Sequence, residues 1–393
     1  MGYAEGSGKR WRARYKRPDG AYGSESGFAT KTAAKRYADD QEAKIRASRW
    51  IDPDAGAITL DDYTAKWLIV QDLAPRTSAR YDSYYRNHIS PELGARQIKS
   101  IAPLEIDALE KALGRHRAPA TVAGVMQVLR LLMADAAHDR LIESSPVRAK
   151  RRRGKRTGPD TRTRRGMAVE LEAVQAIRAR QVRAVSIMVL MAVFTGMRWG
   201  EVAGARRKYL VLMPDAPGGP CGYYLIDPQD GALHEAEDGA LTYGPTKTRR
   251  GRTVELPPFL VELLAAYLDT LPTGQQELFP TPSGASWRRS NFARQWWRPA
   301  CDGWPQRSSR GGHGVALEAA APIVAGLRFH DLRHTHETWL MEDKIERVAR
   351  DERLGHVTPG MEGTYGHATA KMRADILAVL QARWERYWST VSS

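Results

Sequence analysis

Cysteine and long apolar runs are both scarce in this sequence. Only two cysteines, Cys221 and Cys301, occur among its 393 residues, which is too few for a disulfide framework or a four-thiolate zinc site and is typical of a reducing compartment. The longest apolar run, 184–194, has about half of the ~20 residues that cross a bilayer. The basic amino terminus also lacks the apolar stretch of a secretion signal. We therefore expect a cytoplasmic protein with no membrane partner.

Acidic residues are also in short supply. Against 60 Lys and Arg there are 45 Asp and Glu, and the formal net charge of +15 favours a polyanionic partner. Ten of the basic residues and one acidic residue lie in 148–166, a stretch without apolar periodicity that predicts an extended linker. This linker is either a solvated hinge or a strap along DNA phosphates, and its charge density favours the strap. The strap would bind DNA through Arg151, Arg152 and Arg153.

Basic and apolar side chains alternate strictly over residues 10–16, RWRARYK. The alternation predicts a strand with one cationic face, followed by a turn (RPDG), a second extended segment and a helix over KTAAKRYADDQEAKIRAS. We expect a small sheet backed by this helix, with a basic face that is either solvated or placed in a DNA groove as a β-ribbon. That face consists of Arg10, Arg12, Arg14 and Lys16.

Apolar side chains recur at helical spacing throughout residues 57–147, which predicts a compact domain of four helices with short loops. Leu60 begins the first apolar stripe, Tyr81 lies in the second, Pro103 opens the third helix and the fourth covers 121–139. This segment has no net charge, so any DNA contact must come from local faces. Helical spacing could bring three arginines together for that purpose: Arg76, Arg80 and Arg86.

Residues 167–393 alternate helical patterns with a β-hairpin. An amphipathic helix is predicted over 169–180, a buried helix over 184–194 and a further helix after Gly196. The segment TYGPTKTRRGRTVELP predicts two strands around a polar turn, and helices return from Asp331 onward.

The fold class is therefore mainly α with small β-sheets (α+β). Residues 212–240 and 299–327 are expected to be long loops. The predicted parts are a sheet-and-helix domain (1–56), a four-helix domain (57–147), the basic linker (148–166) and a mixed helical block (167–393).

Two motifs in the last block place a cation beside a turn. TGMRWGEV puts Arg198 in the first turn of a helix behind the buried one, with Glu201 three residues later to orient it, and Lys247 lies in the polar turn PTKTRRGR. Each has an ordinary explanation when taken alone, as a surface arginine or an edge-strand lysine.

Two further motifs add histidines, an arginine and a tyrosine. HDLRH places His330 and Arg333 at positions i and i+3, on the same side of one helix, and LGHVTPGMEGTYGH contains His356 and, nine residues later, Tyr365. A core histidine or a turn tyrosine would also be ordinary alone. Together, the four motifs supply the groups that phosphoryl transfer needs.

In this order, the motifs resemble those of the tyrosine recombinases, the phage-integrase family, and the whole layout resembles an integrase with an arm-site-binding domain. The resemblance makes 1–56 the arm-binding domain, 57–147 the core-binding domain and 167–393 the catalytic domain. Two features depart from the family pattern: the long loops lengthen the spacing, and His336 lies where a small or apolar residue is commoner. The resemblance implies the catalytic residues Arg198, Lys247, His330, Arg333, His356 and Tyr365.

The resemblance also implies a site-specific DNA recombinase that cleaves and rejoins double-stranded DNA at attachment sites through a 3′-phosphotyrosine intermediate. Arg198 and Arg333 would clamp the phosphate, because guanidiniums neutralise its two non-bridging oxygens and stay charged at any working pH. His330 would accept the phenol proton of Tyr365, and Lys247 would protonate the departing 5′ oxygen. No metal, ATP or other cofactor is expected.

The same resemblance implies partners and a location. We expect a homotetramer on DNA in the cytoplasm of a bacterial host, associated with its nucleoid and encoded by a phage or other mobile element. The need for an accessory DNA-bending or directionality factor stays open. The helix over 373–388 could dock on a neighbouring subunit or pack within its own chain.

Three other functions stay open from the sequence. A zinc hydrolase could use His330 and His334, one helical turn apart, with Asp331, His336 and Glu337 as further ligands or base, although the usual pattern is HExxH. A type IB topoisomerase would use the same activating groups and tyrosine to relax DNA without exchanging partners. A DNA-binding regulator would have the fold without the chemistry, which the intact nucleophile opposes.

Overall fold

The computed structural model describes residues 2–7, 10–148, 166–236, 239–306, 318–356 and 367–392. Within these ranges the chain is mainly helical with small antiparallel sheets, so the predicted fold class is confirmed. The chain divides into two units, 1–163 and 164–393. The finer division into three domains and a linker stays a prediction.

A three-stranded antiparallel sheet begins the first unit. It comprises β1 (Tyr3–Ser7), β2 (Arg10–Lys16) and β3 (Tyr22–Phe28), and helix α1 (Lys31–Arg46) follows. The apolar face of β2 packs on α1, and Ala13, Tyr15 and Ala34 are at most 1% exposed. The basic side chains of β2 therefore lie on the other face, as the alternation predicts. Strand β1 is an addition, because YAEGS carries no strand pattern.

Four helices follow at the predicted places. They are α2 (Leu60–Val70), α3 (Pro75–Tyr84), which continues as a π-helix to Gly94, α4 (Pro103–His116) and α5 (Pro119–His138). Their apolar stripes meet in a core of their own, in which Leu60, Ile89 and Leu129 are fully buried. By length and composition α5 could cross a membrane, but eight of its residues are buried in this core, so the structure explains it as a core helix.

One apolar helix lies at the centre of the second unit. Ten of the thirteen residues of α7 (Arg183–Thr195) are buried, and α7 contacts α6 (Leu171–Ala179), α9 (Pro258–Leu268) and α12 (Asp331–Glu342). It ends at Gly196, whose φ of 66° is the left-handed conformation of a helix C-cap. Helix α8 (Trp199–Ala203) begins next. These are the predicted buried helix and its successor.

Three short helices, one long helix and two small sheets follow in this unit. The remaining helices are α10 (Arg289–Phe292), α11 (Arg298–Asp302), α13 (Arg347–Leu354) and α14 (Ala370–Val391). The strands are β4 (Leu210–Met213), β5 (Cys221–Ile226), β6 (Ala232–Glu235), β7 (Leu241–Gly244) and β8 (Arg252–Glu255). The sheets have the orders β4–β5–β8 and β6–β7.

Three details of the prediction for this unit are wrong. TYGPTKTRRGRTVELP forms β7 and β8, but these strands do not pair with each other, because β7 pairs with β6 and β8 pairs with β5. Residues 212–240 are predicted as a loop but contain β5 and β6. Helices are predicted to return at Asp331 but already resume at α9. Strands of four to six residues carry little periodicity, and their partners are chosen by packing that a local pattern does not encode.

The carboxy-terminal helix α14 packs within its own chain. Its Ile376 and Leu380 are at most 1% exposed. The ring of Trp384 stacks on that of Phe259 in α9, with 4.2 Å between centroids. Of the two alternatives for this helix, the structure supports core packing.

Candidate active site

Arg198 lies at the start of α8, just after the buried helix α7. As the N-cap residue it precedes Glu201 by three positions, and Glu201 accepts its backbone N–H at 2.8 Å and its Nη1 at 3.1 Å. Burial would raise the pKa of Glu201, which is 1% exposed, but Arg252 and Arg198 hold that pKa below its ordinary value. Glu201 is therefore charged and orients Arg198, as the motif predicts.

Arg333 projects from the first turn of α12 to the same place. Its Nη1 donates to the carbonyl of Gly196 at 2.6 Å, and its Nη2 donates to the carbonyl of Leu354 at 2.5 Å. Burial, together with the positive charges of Arg198 and Arg252, lowers the pKa of Arg333 to about 9. Arg333 stays charged at neutral pH, in a site whose cations repel one another.

The end of α13 joins the two arginines. Directly after the carbonyl of Leu354, which binds Arg333, the carbonyl of Gly355 accepts Nη2 of Arg198 at 3.1 Å. The last carbonyls of a helix have no partner within it and lie at the negative end of its dipole, so they suit guanidiniums. Arg198 and Arg333, which are distant in sequence, therefore meet in one site.

A third arginine, Arg252 of β8, binds the same turn. Its Nε donates to the carbonyl of Arg353 at 2.9 Å, and its two Nη atoms donate to Glu201 at 3.1 and 2.7 Å. We call the carbonyls of residues 353–355 the carbonyl triplet. Sequence reasoning missed Arg252, because nothing in RRGR distinguishes it from its neighbours.

His330 is the N-cap of α12 and is half-buried. Its ring stands perpendicular to that of His334, with 5.2 Å between centroids. Burial, and then the proximity of His334 and Arg333, lowers the pKa of His330 to about 4. Its imidazole is therefore neutral at physiological pH and can accept a proton.

His356 directly follows the carbonyl triplet. Its backbone N–H donates to the carbonyl of Asp351 at 2.9 Å, and its Nδ1 lies 3.4 Å from Oδ1 of the same residue. Burial and the nearby Arg333 lower the pKa of His356. The side chain is 37% exposed against 19% for Arg198, so His356 is the more accessible of the two.

His336 and Arg353 support the carbonyl triplet from inside the fold. Nε of Arg353 donates to Nε2 of His336 at 3.1 Å, and Nδ1 of His336 lies 2.8 Å from the carbonyl of Val193. Burial and the charge of Arg353 hold the pKa of His336 well below its ordinary value, so its Nδ1–H donates and its Nε2 accepts. The departure from the family pattern at His336 thus has a structural reason, which the sequence signals only as an unusual residue.

The structure does not join Lys247 to this cluster, and it does not describe four other predicted site residues. Lys247 is exposed in the turn between β7 and β8, and no contact joins it to the predicted catalytic residues that the structure describes. Tyr365 lies outside the described residues, and so do Arg151, Arg152 and Arg153.

The predicted basic face of β2 carries ordered contacts at two points. Nε of Arg14 lies 3.2 Å from Oε2 of Glu5, and Nη1 of Arg10 donates to the carbonyl of Gly27 at 3.3 Å. Exposed Tyr3 and Tyr22 meet edge to face, with 6.3 Å between ring centroids. The remaining predicted residues of this face are Arg12 and Lys16.

The three arginines predicted on the helical domain do not form one group. Arg76 and Arg80 are exposed one helical turn apart on α3. Arg86 instead forms an ion pair with Asp82, one turn before it. Arg86 lies six positions after Arg80, which is not a spacing that places two side chains together on a helix.

Two of the residues considered as further ligands or base for a zinc site at HDLRH, His336 and Asp331, are engaged in hydrogen bonds. His336 is engaged on both ring nitrogens, and Asp331 accepts two side-chain hydrogen bonds from Arg328, at 2.8 and 3.2 Å. In the part of the chain that the structure describes, no three His, Cys, Asp or Glu side chains are grouped to hold a metal ion.

Sequence comparisons relate the chain to integrases. The family model of the phage integrase N-terminal SAM-like domain matches residues 59–113. The chain is 26% identical over 347 residues to the integrase of Mycobacterium phage D29, covering 87% of this chain and 83% of that one. It is 27% identical over 356 residues to the integrase of Mycobacterium phage L5, covering 87% and 86%.

Two solved structures share the fold. The Tn1549 transposon integrase in complex with a circular intermediate DNA has a TM-score of 0.60 at 15% identity, covering 84% of this chain and 99% of that chain. The lambda integrase tetramer bound to a Holliday junction has a TM-score of 0.50 at 16% identity, covering 93% and 99%. At these identities the likeness establishes the architecture.

Proposed function

We propose that this chain, which belongs to the phage-integrase family of tyrosine recombinases, is a site-specific DNA recombinase that works through a 3′-phosphotyrosine intermediate. The observation that carries the proposal is the convergence of Arg198 and Arg333 on the adjacent carbonyls of Gly355 and Leu354. The integrases among its relatives support the same activity.

The two arginines are suited to a phosphodiester in transition. In-line attack on phosphorus builds charge on two non-bridging oxygens, and guanidiniums fixed in advance stabilise that charge without rearrangement. Each of the two guanidiniums uses two of its N–H groups on protein acceptors and keeps others for a ligand. Burial, and then the charges of Arg198 and Arg252, lower the pKa of Arg333 to about 9, and a bound anion would relieve the repulsion between these cations.

Proton transfer is assigned to the histidines and the lysine. His330 is neutral because its pKa is lowered to about 4, which leaves a ring nitrogen free to accept the proton of Tyr365. A bound phosphate would raise that pKa toward the range of an effective general base. Lys247 protonates the 5′ oxygen that leaves. His356, whose Nδ1 faces Asp351, donates to the phosphate through Nε2 when its ring carries both protons, a form that a bound phosphate favours.

Bond energy is kept in the phosphotyrosine, so that rejoining to another 5′ hydroxyl needs no ATP. The chemistry uses side chains alone. We assign Arg198, Lys247, His330, Arg333, His356 and Tyr365 to the catalytic set.

The remaining parts of the chain are assigned to DNA binding. The basic face of β2 belongs to an arm-binding domain (1–56), the helices of 57–147 bind the core site, and 148–166 lies along phosphates before the catalytic domain (167–393). Tethered modules raise each other's effective concentration on DNA. The active form is a homotetramer on two attachment sites, in the bacterial cytoplasm on the nucleoid.

Capture of a covalent adduct tests the proposal. Nicked duplexes of random sequence are incubated with the protein, and DNA that remains attached in denaturant is recovered, sequenced and analysed by mass spectrometry for the linked peptide. We expect the wild-type chain to give an adduct on Tyr365. Tyr365→Phe should bind the recovered duplex yet give none, and the control Tyr387→Phe should behave as wild type.

Two outcomes would count against the proposal. A covalent adduct formed by Tyr365→Phe would refute the nucleophile. Relaxation of supercoiled DNA without recombinant joints, on a pair of recovered sites, would favour a topoisomerase.

A further inference from the structure

Arg252 is a buried cation of the active site to which the proposed mechanism gives no task. Its Nε, Nη1 and Nη2 all donate to protein acceptors, namely the carbonyl of Arg353 and both oxygens of Glu201. Its side chain is 7% exposed, against 19% for that of Arg198. With three of its five N–H groups engaged and its side chain buried, Arg252 is poorly placed to bind a phosphate that arrives from solvent. Its effect must pass through its partners.

Glu201 is the first of these partners, and it is shared with Arg198. Oε1 accepts Nη1 of Arg198 and Nη1 of Arg252, each at 3.1 Å, while Oε2 accepts the backbone N–H of Arg198 at 2.8 Å and Nη2 of Arg252 at 2.7 Å. One buried carboxylate thus binds two guanidiniums. Because the pair of cations exceeds the single anion, positive charge is left over for a ligand.

Removal of Arg252 would change that balance. Glu201 would keep Arg198 as its only cation, and the two would form an ion pair with no net charge. The guanidinium of Arg198 would then be drawn to the carboxylate instead of being available to the phosphate.

The carbonyl triplet is the second partner. Arg252 binds its first carbonyl, and the other two carbonyls hold Arg333 and Arg198. The backbone of Gly355 also lies against Arg252, since a Cβ there would be 3.0 Å from Nη1. A displaced Arg252 would therefore shift the turn that aligns both phosphate-clamping arginines.

We infer that Arg252 is a positioning residue, which holds Glu201 and the carbonyl triplet so that Arg198 and Arg333 face the scissile phosphate. The inference deepens the proposed function and rests on it. No phosphate contact is assigned to Arg252 itself.

The test measures the single-turnover rate of adduct formation on a duplex recovered by covalent capture, at saturating protein, together with the dissociation constant of that duplex. We expect Arg252→Gln to slow cleavage about 10- to 100-fold, as misplacement of catalytic groups does, with DNA affinity within about threefold. Arg252→Lys should be intermediate, because lysine keeps the charge without the three fixed bonds. The control Arg383→Gln removes another arginine paired with two carboxylates, Glu342 and Asp343, and should cleave normally.

A second substrate separates positioning from general damage. A methylphosphonate at the scissile position carries no charge, so its cleavage depends less on Arg198. If Arg252 acts through Arg198, the loss in Arg252→Gln should shrink on this substrate, and adding Glu201→Gln to Arg252→Gln should cost less than the two separate losses multiplied together. Structural damage would lower the cleavage rates of both substrates by the same factor.

Each outcome decides the matter. Normal cleavage by Arg252→Gln, or an equal loss on both substrates, would overturn the inference while leaving the proposed function intact. If thermal unfolding shows that Arg252→Gln does not fold, Arg252→Lys provides the same comparison. Absence of an adduct with the wild-type chain would instead reject the proposed function and the inference with it.

Discussion

Arg198 and Arg333 donate to consecutive carbonyls, those of Gly355 and Leu354. One arginine caps a five-residue helix and the other lies in the first turn of α12. The end of α13 binds both, and Arg333 also donates to the carbonyl of Gly196, two residues before Arg198. Two guanidiniums bound to neighbouring carbonyls repel each other. Helix-end carbonyls and the buried Glu201 offset that repulsion, which leaves a preformed site for an anion.

Arg333→Lys should lower cleavage by about 10²- to 10³-fold, the usual cost of losing one preorganised donor. A single ammonium cannot reproduce the two bonds of Arg333, to Gly196 at 2.6 Å and to Leu354 at 2.5 Å, and also face a phosphate. Single-turnover adduct formation measures the loss, with Arg383→Lys as the control. Wild-type rates in Arg333→Lys would show that the phosphate is bound elsewhere.

Gly196→Ala should destabilise the protein by about 3 kcal/mol, through two effects. Its φ of 66° disfavours any Cβ by roughly 1 kcal/mol, and a Cβ there would lie 2.6 Å from Leu354 and 2.7 Å from His336, which adds roughly 2 kcal/mol of overpacking. Gly274→Ala is the matched control, because Gly274 has a φ of 84° and no atom within 4 Å of its Cβ position. Urea denaturation of both variants separates the two effects, and equal losses would mean that the packing contact costs nothing.

Much of this architecture can be predicted from local pattern. The alternation of RWRARYK predicts a strand with two different faces, and the apolar run of α7 predicts a buried helix. Both predictions are confirmed. The partner of a strand is not encoded locally. The prediction that β7 and β8 pair as a hairpin is therefore wrong.

The residues of the site also differ in whether a local pattern predicts them. Motifs pointed to Arg198 and Arg333, because their chemistry and order are distinctive. Arg252 and Arg353 gave no signal, since their roles depend on which carbonyl or histidine packs beside them. Residues that position others are defined by tertiary contacts, and one sequence does not reveal those contacts.

Acid should destabilise the folded chain between about pH 6.5 and pH 4. In the folded state the pKa of His330 is about 4, and that of His336 is well below its ordinary value. The unfolded chain therefore binds more protons in this window, and the free energy of unfolding falls as the pH falls. Urea denaturation across the window measures the slope.

His336→Gln should flatten this pH dependence, because one of the three histidines whose pKa is lowered in the folded state no longer titrates. An unchanged slope in His336→Gln would mean that His336 does not contribute to acid destabilisation.

The basic face of β2 should contribute to the salt dependence of DNA binding. Each phosphate contact adds about 0.9 to the slope of log affinity against log salt concentration, so replacing Arg12 and Arg14 by Gln should reduce the slope by about two and weaken binding. A matched variant replaces Lys35 and Lys44 of α1, which are 46% and 40% exposed. Both double variants remove the same charge, so a long-range effect of net charge would reduce affinity equally in the two. A loss of affinity confined to the variant of Arg12 and Arg14 would localise the phosphate contacts to the open face of the sheet. Equal losses of affinity in the two variants would mean that this domain attracts DNA only through its net charge.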